Sequence, residues 1–150
     1  RFRYCIFGRP LRATLYPPRA VLFRKDSCIY RQDGHTQLLD IKGDTATLSG
    51  TIHHDDRKPL TRWIHSQDRY AKLEAEKLAT PSASPVSPQD RLRKTMVLAP
   101  IVTLIYCLFY KGLILDGWRG WYYTLQRVLA EVILALHLLD HRLRKNLPRT

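Results

Sequence analysis

The chain has 150 residues, 45% of them hydrophobic and 10% aromatic, which is enough apolar material for one folded domain and argues against a disordered chain. Lysine and arginine outnumber aspartate and glutamate by 25 to 13, and the resulting charge of +12 favours anionic partners such as nucleic acid, nucleotide phosphates or an acidic membrane surface. Three cysteines without a Cys-x-x-Cys pair indicate buried thiols rather than a disulfide framework or a zinc site.

The first fifty residues have a strand-like texture. Short apolar stretches ("FRYCIF", "AVLFRK", "CIY", "TQLLDIK" and "TATLSG") are separated by Gly, Pro and Asp turn signals. "IKGDTATL" predicts a hairpin with Gly43 and Asp44 at its turn. Pro17 and Pro18 lack N–H donors, so they predict a bend or a sheet edge. Because Arg1 leads directly into a strand pattern, we expect the chain to be the later part of a larger protein.

The pattern becomes helical from Leu60 to about Ala79. The apolar positions of this predicted helix fall near one face, namely Leu60, Trp63, Ile64, Ala71, Ala75 and Leu78. The stretch "TPSASPVSP" then reads as a linker, since its prolines and serines leave no material for a core. We therefore predict an α/β region at 1-79, a linker at 80-90 and a helical region at 91-150.

The helical region begins with basic residues and an uncharged run from Thr95 to Tyr110, which is too short to cross a bilayer perpendicularly unless Lys111 snorkels. Asp116 and Gly117 predict a helix break, followed by an aromatic cluster and a second amphipathic helix. These features together predict a helical hairpin at a membrane interface. The alternative is a hairpin buried against the rest of the protein.

Two polar clusters are candidate sites. In "HHDDRKP", residues 53 to 59, Arg57 and Lys58 precede the predicted helix N-terminus, where backbone amides and the helix dipole favour an anion such as a diphosphate. His54 and Asp55 carry the imidazole and carboxylate groups that ligate divalent metals. The alternative is that Asp55 or Asp56 caps the helix and the other charges are solvated.

The second cluster, "RQDGHTQ", places Asp33 and His35 in a glycine-containing turn after a predicted strand. An aspartate at such a position can act as a general base that deprotonates a hydroxyl. The alternative is an ordinary Asp-Gly turn.

The stretches "RYCIFGRPLRATLYPPRAVLFRKDSCIYRQDGHTQ" and "IHHDDRKPLTRWIHSQDRYAKLEAEKL" resemble the C-terminal half of a family-2 inverting glycosyltransferase of the type that glucosylates the lipopolysaccharide inner core. The tail "LDGWRGWYYTLQRVLAEVILALHLL" is similar to the membrane-associated end of these proteins. The resemblance implies an α/β fold: the C-terminal, acceptor-side part of a GT-A glycosyltransferase fold followed by a membrane-associating helical hairpin.

The resemblance also implies roles for the two clusters. Asp33, His35 and Asp55 become the catalytic candidates, His54 the metal ligand, and Arg57 with Lys58 the residues that neutralise the donor diphosphate. The implied cofactors are a divalent metal, Mg²⁺ or Mn²⁺, and a nucleotide-sugar donor of the UDP-sugar type. No Asp-x-Asp metal motif is present in the sequence. The processive Gln-x-x-Arg-Trp signature is not matched either, which favours addition of a single sugar.

The implied partners are a lipid-linked saccharide acceptor, the lipopolysaccharide core, and a membrane surface, with the enzyme on the cytoplasmic face of the bacterial inner membrane. A nucleic-acid-binding module would use the same basic excess, but the sequence shows no recognition helix or stacking motif for it. A non-catalytic membrane adaptor is the second reading of the chain.

Overall fold

A computed structural model describes residues 2–17, 19–33, 36–80 and 87–145. Its strands and helices are β1 (Phe2–Ile6), β2 (Arg9–Pro10), β3 (Cys28–Asp33), β4 (Thr36–Ile41), β5 (Ile52–Asp55), α1 (Leu60–Ala79), α2 (Pro88–Arg93), α3 (Leu98–Ile105) and α4 (Gly117–Lys145). A π-helical turn at Tyr106–Tyr110 continues α3, and a 3₁₀ turn at Leu113–Asp116 leads into α4. The described residues thus combine small sheets with a larger helical part.

Strand β1 is the centre of a three-stranded sheet. It pairs in parallel with β5, so that Cys5 lies opposite Asp55. It also pairs antiparallel with β2, and Phe7 and Gly8 form the turn between them with φ angles of 48° and 78°. Two consecutive positive φ angles are typical of the tight two-residue hairpin turns that match the twist of antiparallel strands. This turn brings the Gly8 amide beside the end of β5.

The hairpin predicted at Gly43 and Asp44 is wrong. The antiparallel pair is β3 with β4, in a register that runs from Cys28 opposite Ile41 to Asp33 opposite Thr36. Residues 42–51 are all exposed and contain no strand. With no buried face, the apolar alternation of "TATLSG" has nothing to pack against, and "AVLFRK" likewise forms no strand. Residues 34 and 35 of the second cluster, between β3 and β4, lie outside the described residues.

Helix α1 has the predicted bounds, Leu60–Ala79. Its buried face is shifted from the predicted one, because Leu60 and Ile64 are exposed whereas Glu74 is buried. No side chain caps its N-terminus, where Pro59 occupies the capping position. The capping role considered for Asp55 or Asp56 is therefore not observed.

In the C-terminal hairpin, helices α3 and α4 are joined by a sharp bend at the two turns between them. The break falls at the predicted place, since α4 begins at Gly117. Gly120 allows the close approach of α4 to the 3₁₀ turn, because a Cβ there would overlap the Leu113 carbonyl. No single helix in the described ranges has the length and apolarity to cross a bilayer. The segments Leu98–Tyr110 and Leu113–Lys145, which meet at 70°, satisfy both criteria when taken together.

Two apolar cores hold the described parts together, and each draws residues from both sides of the predicted linker. One contains Tyr4, Ile6, Leu11, Cys107, Leu113 and Tyr123; the other contains Ala71, Ala75, Leu78, Leu134 and Leu138. Part of the predicted linker is helical, since α2 begins at Pro88. The inner face of the hairpin therefore packs on the α/β part, as the buried alternative required, while its outer face stays exposed.

Candidate functional site

The carboxylate of Asp55 lies at the end of β5 and is held by two donors. Its Oδ2 accepts hydrogen bonds from the Gly8 amide at 3.0 Å and from Arg57 Nε at 2.7 Å. Its Oδ1 is buried and has no hydrogen-bond partner within the described part of the chain. The Arg57 hydrogen bond is the main reason why the pKa of Asp55 lies below its ordinary value. Asp55 is therefore ionised at neutral pH, with one oxygen unused.

Asp56 forms a second acid–base pair with Lys58. Lys58 Nζ lies 2.7 Å from one Asp56 oxygen, and the Lys58 amide donates to the other at 3.3 Å. Burial acts to raise the pKa of Asp56, but the hydrogen bonds and charge of Lys58 outweigh it and leave that pKa below its ordinary value. The predicted phosphate-binding cations are thus next to each other in the chain, and each is paired with an aspartate.

A cleft beside these pairs has a volume of about 20 Å³ and is lined by Asp56, Arg57, Lys58, Trp63 and Tyr122, among others. That volume holds about one water molecule. A diphosphate would bind only after the side chains of Arg57 and Lys58 turned outward, away from their aspartates. Both cations are partly exposed, with 64% of the Arg57 side chain and 31% of the Lys58 side chain accessible to solvent.

His54 lies in a different environment from Asp55. Its ring is 5.0 Å from the Tyr4 ring and 6.1 Å from the Tyr16 ring, in a cavity of about 180 Å³ that Arg19 also lines. Consecutive residues of a strand point to opposite faces, so the two side chains diverge. Burial raises the pKa of Tyr4 to about 12, so its hydroxyl remains protonated here.

The metal-ligating groups considered in the first cluster, His54 and Asp55, do not share a site. His54 and Asp55 face apart, and Asp55 Oδ2 is already occupied by Gly8 and Arg57. In the ranges that the structure covers, no three His, Cys, Asp or Glu side chains come together in a way that would hold a metal ion.

Asp33 lies far from the first predicted cluster, residues 53–58, which is called the HHDDRK cluster. Its carboxylate pairs with Lys77 Nζ at 2.8 Å, near the C-terminal end of α1. The cluster of Asp55 and Lys58 precedes the other end of that helix, and the stretch from Leu60 to Lys77 is about 25 Å long. The structure therefore does not bring the two predicted clusters together. His35, the partner of Asp33 in the prediction, lies outside the described residues.

Sequence reasoning missed the contacts that join the β1–β2 region to the hairpin. Arg12 donates from its amide and from Nε to Asp116, at 3.0 and 2.9 Å, and from a terminal nitrogen to the Leu115 carbonyl. Arg12 and Asp116 are 104 positions apart, and the sequence pattern around Asp116 indicated only a helix break. On α4, the Arg127 guanidinium lies over the Trp63 and Tyr123 rings, 5.6 and 5.5 Å from their centres.

The chain was compared with models of protein families, with characterised proteins and with solved structures, and none of the three comparisons found a match.

Proposed function

We propose that this chain is the acceptor-side part of an inverting glycosyltransferase that moves a hexose, glucose, from a nucleotide sugar to the lipopolysaccharide inner core. Its place would be the cytoplasmic face of the bacterial inner membrane. The resemblance of the sequence motifs to family-2 glycosyltransferases suggests the reaction. The observation that supports it most is the position of Arg57 and Lys58, two adjacent cations at the end of a sheet strand beside a carboxylate with an unused oxygen.

In the proposed reaction, the acceptor hydroxyl oxygen attacks the anomeric carbon from the face opposite the leaving group. The bond between that carbon and the diphosphate breaks, and the nucleoside diphosphate leaves with the electron pair. Arg57 and Lys58 neutralise the charge that develops on the departing diphosphate. The hydroxyl proton passes to a carboxylate acting as general base.

Asp55 suits the role of base better than Asp33, because it lies in the same cluster as the two cations. Arg57 now occupies Asp55 Oδ2. If Arg57 turned to the donor diphosphate, that oxygen would keep only the hydrogen bond from the Gly8 amide and could accept the acceptor proton. Donor binding would therefore activate the base.

The proposal includes a nucleotide-sugar donor and a divalent ion, Mg²⁺ or Mn²⁺. Such ions are often bound through substrate phosphates and only one or two protein carboxylates. A metal requirement is tested separately, by transfer with and without EDTA.

The test is transfer from a panel of radiolabelled nucleotide sugars to deep-truncated lipopolysaccharide, in membranes from cells expressing the complete protein. Asp55→Asn should lower transfer by about 10²-fold or more, since it removes the base. Arg57→Ala should lower it by a similar factor of about 10² through lost transition-state stabilisation. Lys72→Ala, an exposed cation on α1, is the matched control and should retain wild-type transfer. Wild-type turnover in Asp55→Asn would refute the assignment of this cluster.

A non-catalytic membrane adaptor is the second candidate. The observation in its favour is that Asp55 pairs with Arg57 and Asp56 with Lys58, so the cluster neutralises itself. A complete protein that binds membranes but neither transfers sugar nor hydrolyses any nucleotide sugar would establish the adaptor.

A further inference from the structure

The C-terminal hairpin exposes many large apolar side chains. The residues that define this hairpin surface are Val97, Leu98, Ile101, Val102, Ile105, Phe109, Tyr110, Leu115 and Trp118, each at least 42% exposed. On α4 it continues along Leu125, Leu129 and Leu136, at spacings that keep them near one side of the helix. Soluble monomers rarely expose large groups of apolar side chains, so these residues are expected to be covered in the working protein.

We propose that the hairpin surface lies in the interfacial layer of an anionic membrane, with the turn at Leu115 and Trp118 as its deepest part, and that the hairpin does not cross the bilayer. This inference deepens the membrane-partner part of the proposed function. It specifies the lipid charge, the inserting residues and the sidedness.

Charge around the hairpin surface favours anionic lipid. Arg91 and Lys94 are exposed just before the hairpin surface begins, and Arg119 is exposed beside Trp118. The acidic residues of the described stretch 87–145 all lie near cations: Asp90 near Lys77, Asp116 near Arg12, Glu131 near Arg93 and Asp140 near Arg144. An apolar face flanked by cations is the pattern of helices that bind the surface of anionic bilayers, where each cation strengthens binding.

The geometry favours an interfacial position over a crossing one. Leu98–Tyr110 is about 20 Å long at 1.5 Å per residue, against about 30 Å of hydrocarbon. The segment after it turns by 70°. The turn between them is anchored to the α/β part through Arg12, which binds both Asp116 and the Leu115 carbonyl. A turn held in this way cannot reach the far leaflet without detaching from the protein.

A second copy of the chain is a poorer occupant than lipid. A two-fold contact places the same patch of both copies face to face. On a chain with a charge of +12, the cations around the hairpin surface of one copy would then approach those of the other copy. An anionic lipid surface attracts these cations instead.

The first test is binding of the full chain to vesicles of phosphatidylcholine alone and of phosphatidylcholine with phosphatidylglycerol. Binding should be strong only with the anionic lipid. The double variant Leu115→Asp with Trp118→Asp should lose more than about tenfold in affinity, because two apolar side chains no longer enter the bilayer. Leu22→Asp is the matched control, since Leu22 is 86% exposed in a loop outside the hairpin, and it should bind as the wild type does.

The charge requirement has its own variants. Lys94→Gln with Arg119→Gln should weaken binding to the anionic vesicles by about 30-fold, at about fivefold per cation. Lys72→Gln on α1 is the charge-matched control and should change binding little. Equal binding to both vesicle types, or unchanged binding in the Leu115/Trp118 double variant, would overturn the proposal. A lipid-free dimer that this double variant dissociates would assign the surface to a second copy.

Sidedness is tested with Arg91→Cys and with Leu143→Cys, on either side of the hairpin surface, each in a Cys28→Ser background in which the remaining Cys5 and Cys107 are buried. A membrane-impermeant maleimide should label both positions from the same side in oriented membrane vesicles of expressing cells. Labelling from opposite sides would show a crossing and overturn the interfacial arrangement. Vesicle binding needs no catalysis, so retained binding with no sugar transfer would count against the proposed function alone.

Discussion

At the scale of single residues, the buried hydroxyl of Tyr123 joins two distant parts of the chain. The side chain is fully buried, and its oxygen accepts the Leu15 amide at 3.0 Å and lies 3.3 Å from the Thr14 hydroxyl. Buried polar groups are normally paired, and an amide that loses its partner bears the full cost of desolvation. The segment after β2 is therefore fixed to α4 by one phenol oxygen.

Tyr123→Phe should lower the free energy of unfolding by about 1–2 kcal/mol, because the Leu15 amide would lose its acceptor while the ring packing stays. Urea denaturation measures the change. Tyr110→Phe is the matched control, since Tyr110 is 78% exposed, and its stability should stay close to that of the wild type. Equal midpoints for the two variants would show that the Tyr123 hydroxyl contributes nothing.

At the scale of secondary-structure elements, Arg93 connects three helices. Its guanidinium at the end of α2 donates to Glu131 on α4 at 3.0 Å and to Glu74 on α1 at 3.4 Å. Only 6% of the Glu74 side chain and 16% of the Glu131 side chain are exposed. Removing the cation from such a pair leaves carboxylates with little solvent to replace it.

Arg93→Ala should cost about 3 kcal/mol of unfolding free energy, because Glu74 and Glu131 would lose their shared cation. Arg91→Ala, two residues earlier on an exposed position of α2, should change it by no more than about 0.5 kcal/mol. Thermal and urea unfolding of the two variants give the comparison. Similar losses in both would mean that α2 is held by packing and not by this charge network.

At the scale of the whole molecule, the paired aspartates make the stability of this strongly basic chain depend on pH in the acid range. The pKa values of Asp55, Asp56 and Asp140 all lie below their ordinary value in the folded protein. A carboxyl with a lowered pKa stabilises the fold above its unfolded pKa, and this stabilisation is lost as the pH falls through the folded pKa. The sensitive range therefore begins near pH 4, about where such carboxyls titrate when unfolded, and extends below it.

We expect the free energy of unfolding to fall steadily below about pH 4, with the loss spread over these pairs. In Asp55→Asn with Asp56→Asn the fall should be shallower, because two of the titrating groups are gone. Urea unfolding at intervals between neutral and acid pH measures both curves. Parallel curves for wild type and double variant would contradict the assignment of this acid sensitivity to the HHDDRK cluster.

The sequence was sufficient for features that depend on local pattern. The 20-residue helix α1 and the break before Gly117 follow from periodicity and glycine placement, because helix formation and termination depend on neighbours along the chain. The run that forms α3 carries no charge, so it has more apolar side chains than one buried face of a helix can hold. The others are exposed. The charge of +12 and the grouping of Arg57 with Lys58 are likewise read directly from the sequence.

Only the tertiary structure decided which distant residues meet. Strand pairing placed β3 against β4 rather than across Gly43, because a strand needs a partner and a buried face that the sequence alone does not assign. The length of helix α1 separates Asp33 from Asp55. The alternation of side chains along β5 directs His54 and Asp55 to opposite faces of that strand. The pairing of Arg12 with Asp116 arises from chain reversal over 104 positions, where no local pattern carries information. Local propensity is a property of neighbouring residues, whereas a site is a property of the packing that brings distant residues together.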